Sequence, residues 1–303
     1  MSRPSAKVIA HSEAPNGEQL ITLEIELHRF VLPENNTHRS FSRNYASSRA
    51  CPVTSQLEQV ANDPAMPVHW GKNQSGMVAD KELSGMERKL AEMIILGMRD
   101  ACLNGVKQLA ELGLHKQVSN RYIEPWLWTK GVITTTKDEF DAFFRLRCHK
   151  DAQPEIKLLA ERMRDAINSS VSVKLKVGDY HLPYIECYKP LGSGKQVFPV
   201  GNGTSEVYSL ENAVKISTSC SAQVSYRRLD TSLEKALKIY DMLNLPSNGE
   251  FSDEPGHFSP TEHQAKVVDV TDGYMSSGNF HSKVFWQYRK ALESGTENKF
   301  LTN

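Results

Sequence analysis

Apolar and polar side chains alternate between residues 20 and 27, LITLEIEL. Ile21, Leu23, Ile25 and Leu27 fall on one face, and Thr22, Glu24 and Glu26 on the other. A repeat of two predicts a half-buried strand. Residues 81–113 predict a long helix with Gly113 as its C-cap. A second helix is predicted over about 137–148. A third is predicted over 152–168, where Ala152, Ile156, Leu159, Met163 and Ile167 recur at helical spacing. SVSVKLKV (170–177) alternates like a strand, and the stretch that follows, KPLGSGKQVFPVGNGTSE, is turn-rich. That stretch reads as a connection within one domain or a weak boundary. Helical pattern returns at 206–215 and 231–244. EHQAKVVDV predicts a strand and HSKVFWQYRKALES a helix. Residues 50–80 hold Pro52, Pro64, Pro67, Gly71 and Gly76, so a long loop, with or without a short helix, is expected there. HSEAPNGEQLITLEI, from His11, and HFSPTEHQAKVVDV, from His257, share a histidine, a proline, an acid and a strand, which hints at an internal duplication.

Composition narrows the class. Lys plus Arg equals Asp plus Glu at 36 each, so the chain is not a general nucleic-acid-coating protein. Five cysteines without a CxxC pair suit reduced thiols and a cytoplasmic setting. No apolar run is long enough to suggest a membrane span or a signal peptide.

Positive charge is local. THRSFSRNYASSR, residues 37–49, holds three arginines, one histidine, four serines and a threonine, with no acid. If it is helical from Ser42, Asn44 and Ser47 share a face, and hydroxyls beside arginines make an anion site. A solvated basic turn is the plainer reading. In FFRLRCHKDAQPEI, residues 143–156, Phe143, Phe144 and Leu146 are expected to bury a helix end and leave Arg147 at its edge. Arg147 could offer two parallel donors to a carbonyl or imide oxygen. A surface ion pair with Asp151 or Glu155 is the alternative. Other motifs fail. LGSGKQ lacks the first glycine and final Ser/Thr of a P-loop, with Lys189 in the glycine's place, and VGNGTS lacks the context of a dinucleotide fold. No four-ligand metal set is spaced along the chain.

THRSFSRNYASSR resembles the RHRxxSxNxxSxR signature of the flavin-dependent thymidylate synthases, the ThyX family. His38, Arg39, Ser42, Asn44, Ser47 and Arg49 match, and Thr37 replaces the first arginine. NRYIEPWLW from Asn120, and Leu146–Arg147 with Ala152, Gln153 and Glu155, are similar to the family's helical core. SAQVSY (221–226) and GHFSPTEH (256–263) look like its ARVSY and GHETPFEH segments, which ordinarily precede the signature and here follow it. The resemblance covers about 20–50, 114–168 and 213–292, and has the look of a longer, permuted branch.

The resemblance implies an α+β fold with a mixed antiparallel sheet and long helices. It implies one catalytic domain over 1–303: strand and signature in 1–50, a loop insertion in 51–80, a helical core in 81–170 and a C-terminal segment in 206–295. It further implies FAD, with NADPH and methylenetetrahydrofolate as co-substrates, and reductive methylation of dUMP to dTMP without a protein nucleophile, in a homo-oligomer, usually a tetramer. Carried over by position, His38, Arg39, Asn44, His257, Ser259 and Arg289 would serve the flavin. Ser47, Ser48, Arg49 and Arg121 would hold the nucleotide, and Arg147 would polarise the uracil. Tyr45 stands in place of a glutamate, Glu34 of a glutamine, Ala142 of an asparagine and Gln223 of an arginine. Arg289 could restore the charge lost at Thr37. These departures leave two other readings: modification of another pyrimidine nucleotide, such as hydroxymethylation of dUMP or dCMP, and a non-catalytic flavin- or nucleotide-binding descendant.

Overall fold

Strand β1, Ser5–Glu13, turns at Gly17, whose φ of +86° suits a residue without a side chain, into β2, Gln19–His28. These strands join β3 (Ser42–Tyr45), β4 (Trp128–Thr136) and β5 (Val173–Lys174) in one sheet of order β3-β4-β2-β1-β5. The pairings are antiparallel except β1 with β5. The computed structural model describes residues 3–190, 194–200, 206–225, 229–246, 250, 253–269 and 278–302. Tyr226 of SAQVSY, parts of the turn-rich stretch after residue 190 and parts of the loop before His257 lie outside them.

The alternation read in LITLEIEL decides the layering. Ile21, Leu23, Ile25 and Leu27 all enter one core, with Ile133 of β4 beside them. Helices α1 (Leu32–Asn36), α2 (Val53–Asn62), α3 (Gly85–Glu111) and α4 (Lys116–Ser119) come before β4 in the chain, and α5 (Lys137–Arg147) and α6 (Pro154–Asn168) follow it. The apolar stripe of α6, Ile156, Leu159, Ala160, Met163 and Ile167, closes this core with Phe140, Phe143 and Phe144 of α5. Each fully buried aliphatic contributes about 1.5–3 kcal/mol relative to exposure. Leu146, expected inside, is exposed, because it follows Phe143 and Phe144 on the outer side of α5.

The C-terminal segment covers the other face. Strand β6, Tyr180–His181, precedes the small hairpin of β7 (Phe198–Pro199) and β8 (Val207–Tyr208). Helices α7 (Leu210–Ala222) and α8 (Leu233–Met242) are capped by Ser209 and Ser232, whose hydroxyls accept from backbone N–H groups three residues on. Strands β9 (Ala265–Val267) and β10 (Phe285–Gln287) form a second sheet with β6 and lead to α9 (Tyr288–Glu293) and α10 (Glu297–Phe300). Leu20 of β2 packs with Val267, Phe280 and Phe285 between the sheets.

Several expectations change in detail. The stretch predicted as a helix around HSKVFWQYRKALES begins as β10 and turns helical at Tyr288. Of the alternating SVSVKLKV, Val173 and Lys174 alone are strand. The 50–80 loop contains α2. The two segments of the suspected duplication fold differently: His11 lies in a long hairpin, whereas His257 precedes a 3-10 turn, Ser259–Glu262, and a three-residue strand. Among the described residues no helix is long and apolar enough to cross a membrane.

A buried polar chain joins the two layers. Ser12 Oγ lies 2.8 Å from His181 Nδ1, and His181 Nε2 lies 2.8 Å from Thr22 Oγ1. Thr22 Oγ1 is 2.7 Å from Thr134 Oγ1, which is 2.8 Å from His263 Nδ1. Four links join five members that carry one hydrogen each, so the imidazole tautomers are coupled: a His181 that donates from Nδ1 obliges His263 to donate from Nδ1 to Thr134. Burial holds both histidines neutral, each pushed down to about 3, with His11 and His263 adding to the effect on His181.

A base whose folded pKa lies below its unfolded value binds fewer protons when folded. Stability from His181 and His263 is therefore fully present above about pH 6.5 and drains away as pH falls towards 3. The melting temperature should already fall between pH 7 and 5, before most carboxylates titrate. A curve that is flat over that window, measured by circular dichroism, would contradict the burial of two neutral imidazoles.

Candidate active site

The serine–arginine stretch is not helical from Ser42. Ser42, Arg43, Asn44 and Tyr45 pair with Thr134, Ile133, Val132 and Gly131 of β4, which makes them a strand. Alternation then sends Ser42 and Asn44 to one face and Arg43 and Tyr45 to the other. Asn44 and Ser47 are consequently not neighbours on a helical turn. Ser47 opens the turn after β3, where its carbonyl accepts from the Ala50 N–H at 2.9 Å and the Cys51 N–H at 3.1 Å.

The face carrying Ser42 and Asn44 meets the C-terminal segment. Asn44 Nδ2 donates to the Ser221 carbonyl at 2.6 Å, and Ser259 Oγ donates to Asn44 Oδ1 at 3.4 Å. Gln287 Nε2 donates to Ser42 Oγ and to the Glu262 carbonyl, both at 3.0 Å. A Cβ at Gly278 would sit 2.1 Å from Gln287 Oε1, and φ there is +60°, so glycine is required beside this amide. Segments that are remote in the chain, 42–44, 221, 259–262 and 287, thus converge on one strand.

On the opposite face, Arg147 reaches back from the end of α5. Its Nε donates to His38 Nε2 at 2.9 Å, and its Nη2 to Thr37 Oγ1 at 3.1 Å and to the Glu34 carbonyl at 3.3 Å. The surface ion pair with Asp151 or Glu155 is not formed. Asp151 faces His149, and the Glu155 carboxylate accepts from the Val68 N–H. Burial, with Arg147 and Arg43 close by, pushes His38 down to about 4, so its Nε2 lone pair accepts from Arg147. Phe143 packs edge-on to the His38 ring at 4.7 Å between centroids. No bond from Arg147 Nη1 is seen among the described residues, so one corner of the guanidinium remains for a ligand. The cation beside Thr37 is therefore Arg147. Arg289 lies elsewhere, held by Glu262, by Glu293 at 2.7 Å and against the Phe258 ring.

Around the turn, Ser48 is buried and its hydroxyl donates to Glu124 Oε1 at 2.7 Å. The same oxygen takes Arg121 Nη1 at 2.9 Å and Arg29 Nη2 at 3.4 Å. Asn120 Nδ2 donates to the Ser48 carbonyl at 2.7 Å. Arg49 is exposed to solvent. Sequence reasoning missed Glu124 and Arg29; inside NRYIEPW the acid reads as an ordinary i,i+3 partner of Arg121, and nothing in the sequence points to Ser48 and Arg29 as its other partners. Tyr45 lies with its ring over Gly131, where a Cβ would fall 2.3 Å from the ring, and its hydroxyl accepts from Asn35 Nδ2. Burial raises the phenol well above its ordinary value.

Two cavities flank the signature strand. One, of about 680 Å³, is bordered by Ala46, Cys51, Lys130, Glu24 and Arg3. The other, of about 610 Å³, is bordered by Phe41, Arg43, Glu262, Asn279, Gln287 and Arg289. Burial pushes the Glu262 carboxyl up, against the opposing pull of Arg289. Arg39 is exposed nearby, its carbonyl accepting from Asn279 Nδ2 at 3.4 Å. His257 is exposed, with its N–H on the Leu243 carbonyl at 2.8 Å.

Comparison with curated proteins gave no match. Among solved structures the chain is similar to a UMP/dUMP methylase, PolB, from Streptomyces cacaoi. The crystal structure bound with 5-Br dUMP is 14% identical, covers 49% of this chain and 65% of the other, and has a TM-score of 0.39. The one bound with 5-Br UMP is 13% identical, covers 55% and 89%, and has a TM-score of 0.46. The chain thus spans just under two-thirds of the length of the first. A family profile described as thymidylate synthase complementing protein, Thy1, matches residues 12–171. That span holds β2, β3 and β4, the whole signature and Arg147, and stops before the C-terminal segment. With over half of its residues inside the profile and the signature strand built as described, the chain belongs to the Thy1, or ThyX, family.

Proposed function

We propose that this protein reductively methylates carbon 5 of the uracil in dUMP to give dTMP, with FAD, methylenetetrahydrofolate and NADPH. The observation that carries the reading is the placement of Arg147. It forgoes the acids next to it and binds Thr37 and His38 of the signature, with Nη1 facing no partner among the described residues.

The residues present fit a flavin nucleotide. A cavity of about 610 Å³ is of the size that holds large cofactors, and Arg43 supplies a cation on its wall, while Arg289, paired there with Glu262 and Glu293, would have to exchange a carboxylate for a pyrophosphate. The amides of Gln287 and Asn279 add donors suited to a polar ring edge. His38, Arg39, Asn44, His257, Ser259 and Arg289 would hold the group, which when bound supplies the reducing electrons. Ser47 and Arg49 would take the nucleotide phosphate. Ser48 and Arg121 share Glu124, so they shape the turn and leave Arg49 the freest cation for the phosphate.

Arg147 would stabilise the negative charge that builds at the N3–C4–O4 edge of uracil as carbon 5 becomes nucleophilic. A guanidinium stays protonated, so it polarises and does not act as the base. Its Nε and Nη2 are already anchored, which removes the cost of ordering the side chain during reaction.

A second reading keeps this site and changes the pyrimidine or the one-carbon product. It is favoured by Tyr45. Where the family has a glutamate, this side chain lies over Gly131 and bonds Asn35, so position 45 offers no carboxylate to a substrate. Mass spectrometry of products from dUMP, UMP and dCMP, with methylenetetrahydrofolate and NADPH, decides between the two. The homo-oligomer implied by the family is part of the proposal and is supported by an exposed apolar row on α3.

Arg147→Lys keeps the charge and loses the planar fork. Turnover should fall by roughly 10²–10³, the scale of one oxyanion-type donor. Flavin bleaching by NADPH in stopped flow should change little. Product formation at the parent rate would remove Arg147 from the chemistry.

Arg49→Ala should weaken nucleotide binding by about 1.5–3 kcal/mol, as for a charge-assisted hydrogen bond, while flavin stays bound. Isothermal titration of the folded variant checks this, and an unaltered affinity would place the phosphate elsewhere.

A further inference from the structure

Helix α3 turns one face inward. Leu103 and Val106 are buried against Ile123 and Trp126, with Ile95 and Cys102 beside them. Its opposite face carries Met86, Leu90, Met93, Ile94 and Met98, which are 53–78% exposed. At about 100° per residue these five side chains fall within roughly 140° of arc, and Gly97 and Ala101 lie between them, as does Glu87 in the first turn, which pairs with Lys72 at 2.8 Å. Nothing else among the described residues covers this row. An apolar strip several turns long is not a normal solvent face for a soluble helix.

Charge on its edge tells what fits. Lys89 and Asp100 are both exposed and stand about three turns apart, so they share one edge of the strip. The point midway between them falls between Ile94 and Ile95, near the middle of the apolar row. Asp100 meets Arg99 through Oδ1 and keeps 62% of its side chain exposed. In an antiparallel helix pair related by a two-fold axis, like edges meet. An axis at that midpoint sets Lys89 of each copy opposite Asp100 of the other, twice, while the apolar rows coincide.

We infer that this face of α3 packs against α3 of a second copy of the chain, antiparallel, with Lys89 and Asp100 fixing the register. The inference rests on the homo-oligomer reading above and supplies its surface. Leu103 and Val106 tie the C-terminal half of α3 to the 120–126 turn that bears Arg121. The loop before Ser84, closed by the Gly71–Glu82 bridge, extends from the N-terminal end. Antiparallel packing carries that loop of one copy towards the Arg121 turn of its partner. The candidate phosphate site then lies beside the interface.

Sedimentation velocity over a concentration series tests each part. The parent should sediment as a dimer or higher assembly. Ile94→Asp should weaken self-association about a hundredfold, with an unchanged far-ultraviolet spectrum, because Ile94 is exposed within the chain. Lys89→Glu alone and Asp100→Lys alone each place like charges opposite one another and should weaken it about tenfold or more. Mixed together, the two variants set the introduced glutamate against the introduced lysine. The unaltered Lys89 of one chain then faces the unaltered Asp100 of the other, so the assembly should return. A parent that is monomeric throughout sinks the oligomer reading and this inference with it, and leaves the face to some other partner. An oligomer indifferent to Ile94→Asp keeps the oligomer and overturns the surface. Dissociation by Ile94→Asp without recovery on mixing the two charge variants overturns the register.

Discussion

Everything at the candidate site depends on a row of hydroxyls and imidazoles sealed between two layers. Thr22 of β2 and Thr134 of β4 are cross-strand partners, and each extends to a histidine of the C-terminal segment. A buried polar group left without its partner costs about 1–3 kcal/mol. Sliding the second layer by one residue would strand several such groups at once. The segment with Ser259 and Glu262 is therefore fastened one residue from its own functional groups, by His263. Thr134 is also the partner of Ser42, so the same hydrogen bonds that seat the C-terminal segment locate the signature strand.

How much of this could be read from the sequence follows the same physics. The helices around 81–113, 137–148 and 152–168 were legible because their apolar positions recur at helical spacing over many residues. β2 was legible because one face is fully apolar. β4 was not. Its WTKGVITTT reads as polar, yet Thr134, Thr135 and Thr136 are buried and spend their hydroxyls on partners far along the chain. β1 hid for a related reason, since both of its faces mix polar and apolar residues. In the site, the residue types of the signature were plain, but its conformation was not: serine and arginine favour no strand, and β3 exists because β4 offers it an edge. Arg147 was visible as a candidate, whereas its partners were not, because they lie in α1 and the loop after it, on the other side of the longest helix among the described residues.

Chain order and spatial order part company here. Segments that look as if they ought to precede the signature follow it by more than 170 residues, and they still reach it. Asn44 takes Ser221 and Ser259, and Ser42 takes Gln287. Such contacts need only that the ends of the segment come together, and loop closure costs little more for a long connection than for a short one. The family profile covers the first layer, and the second layer is what supplies the wall of the Arg43–Arg289 cavity. A fragment ending near residue 171 would keep the signature and Arg147 but present them on an open sheet face.

Tyr45 and Gly131 bind one another's fate. The ring lies where a side chain on residue 131 would have to go. A smaller side chain at 45 would leave room for an alanine opposite it, and the ring closes that freedom. Substitution at the pair must then follow a fixed order. The tyrosine has to leave before the strand can gain a side chain, and removing it empties a space in the main core that the glycine cannot fill.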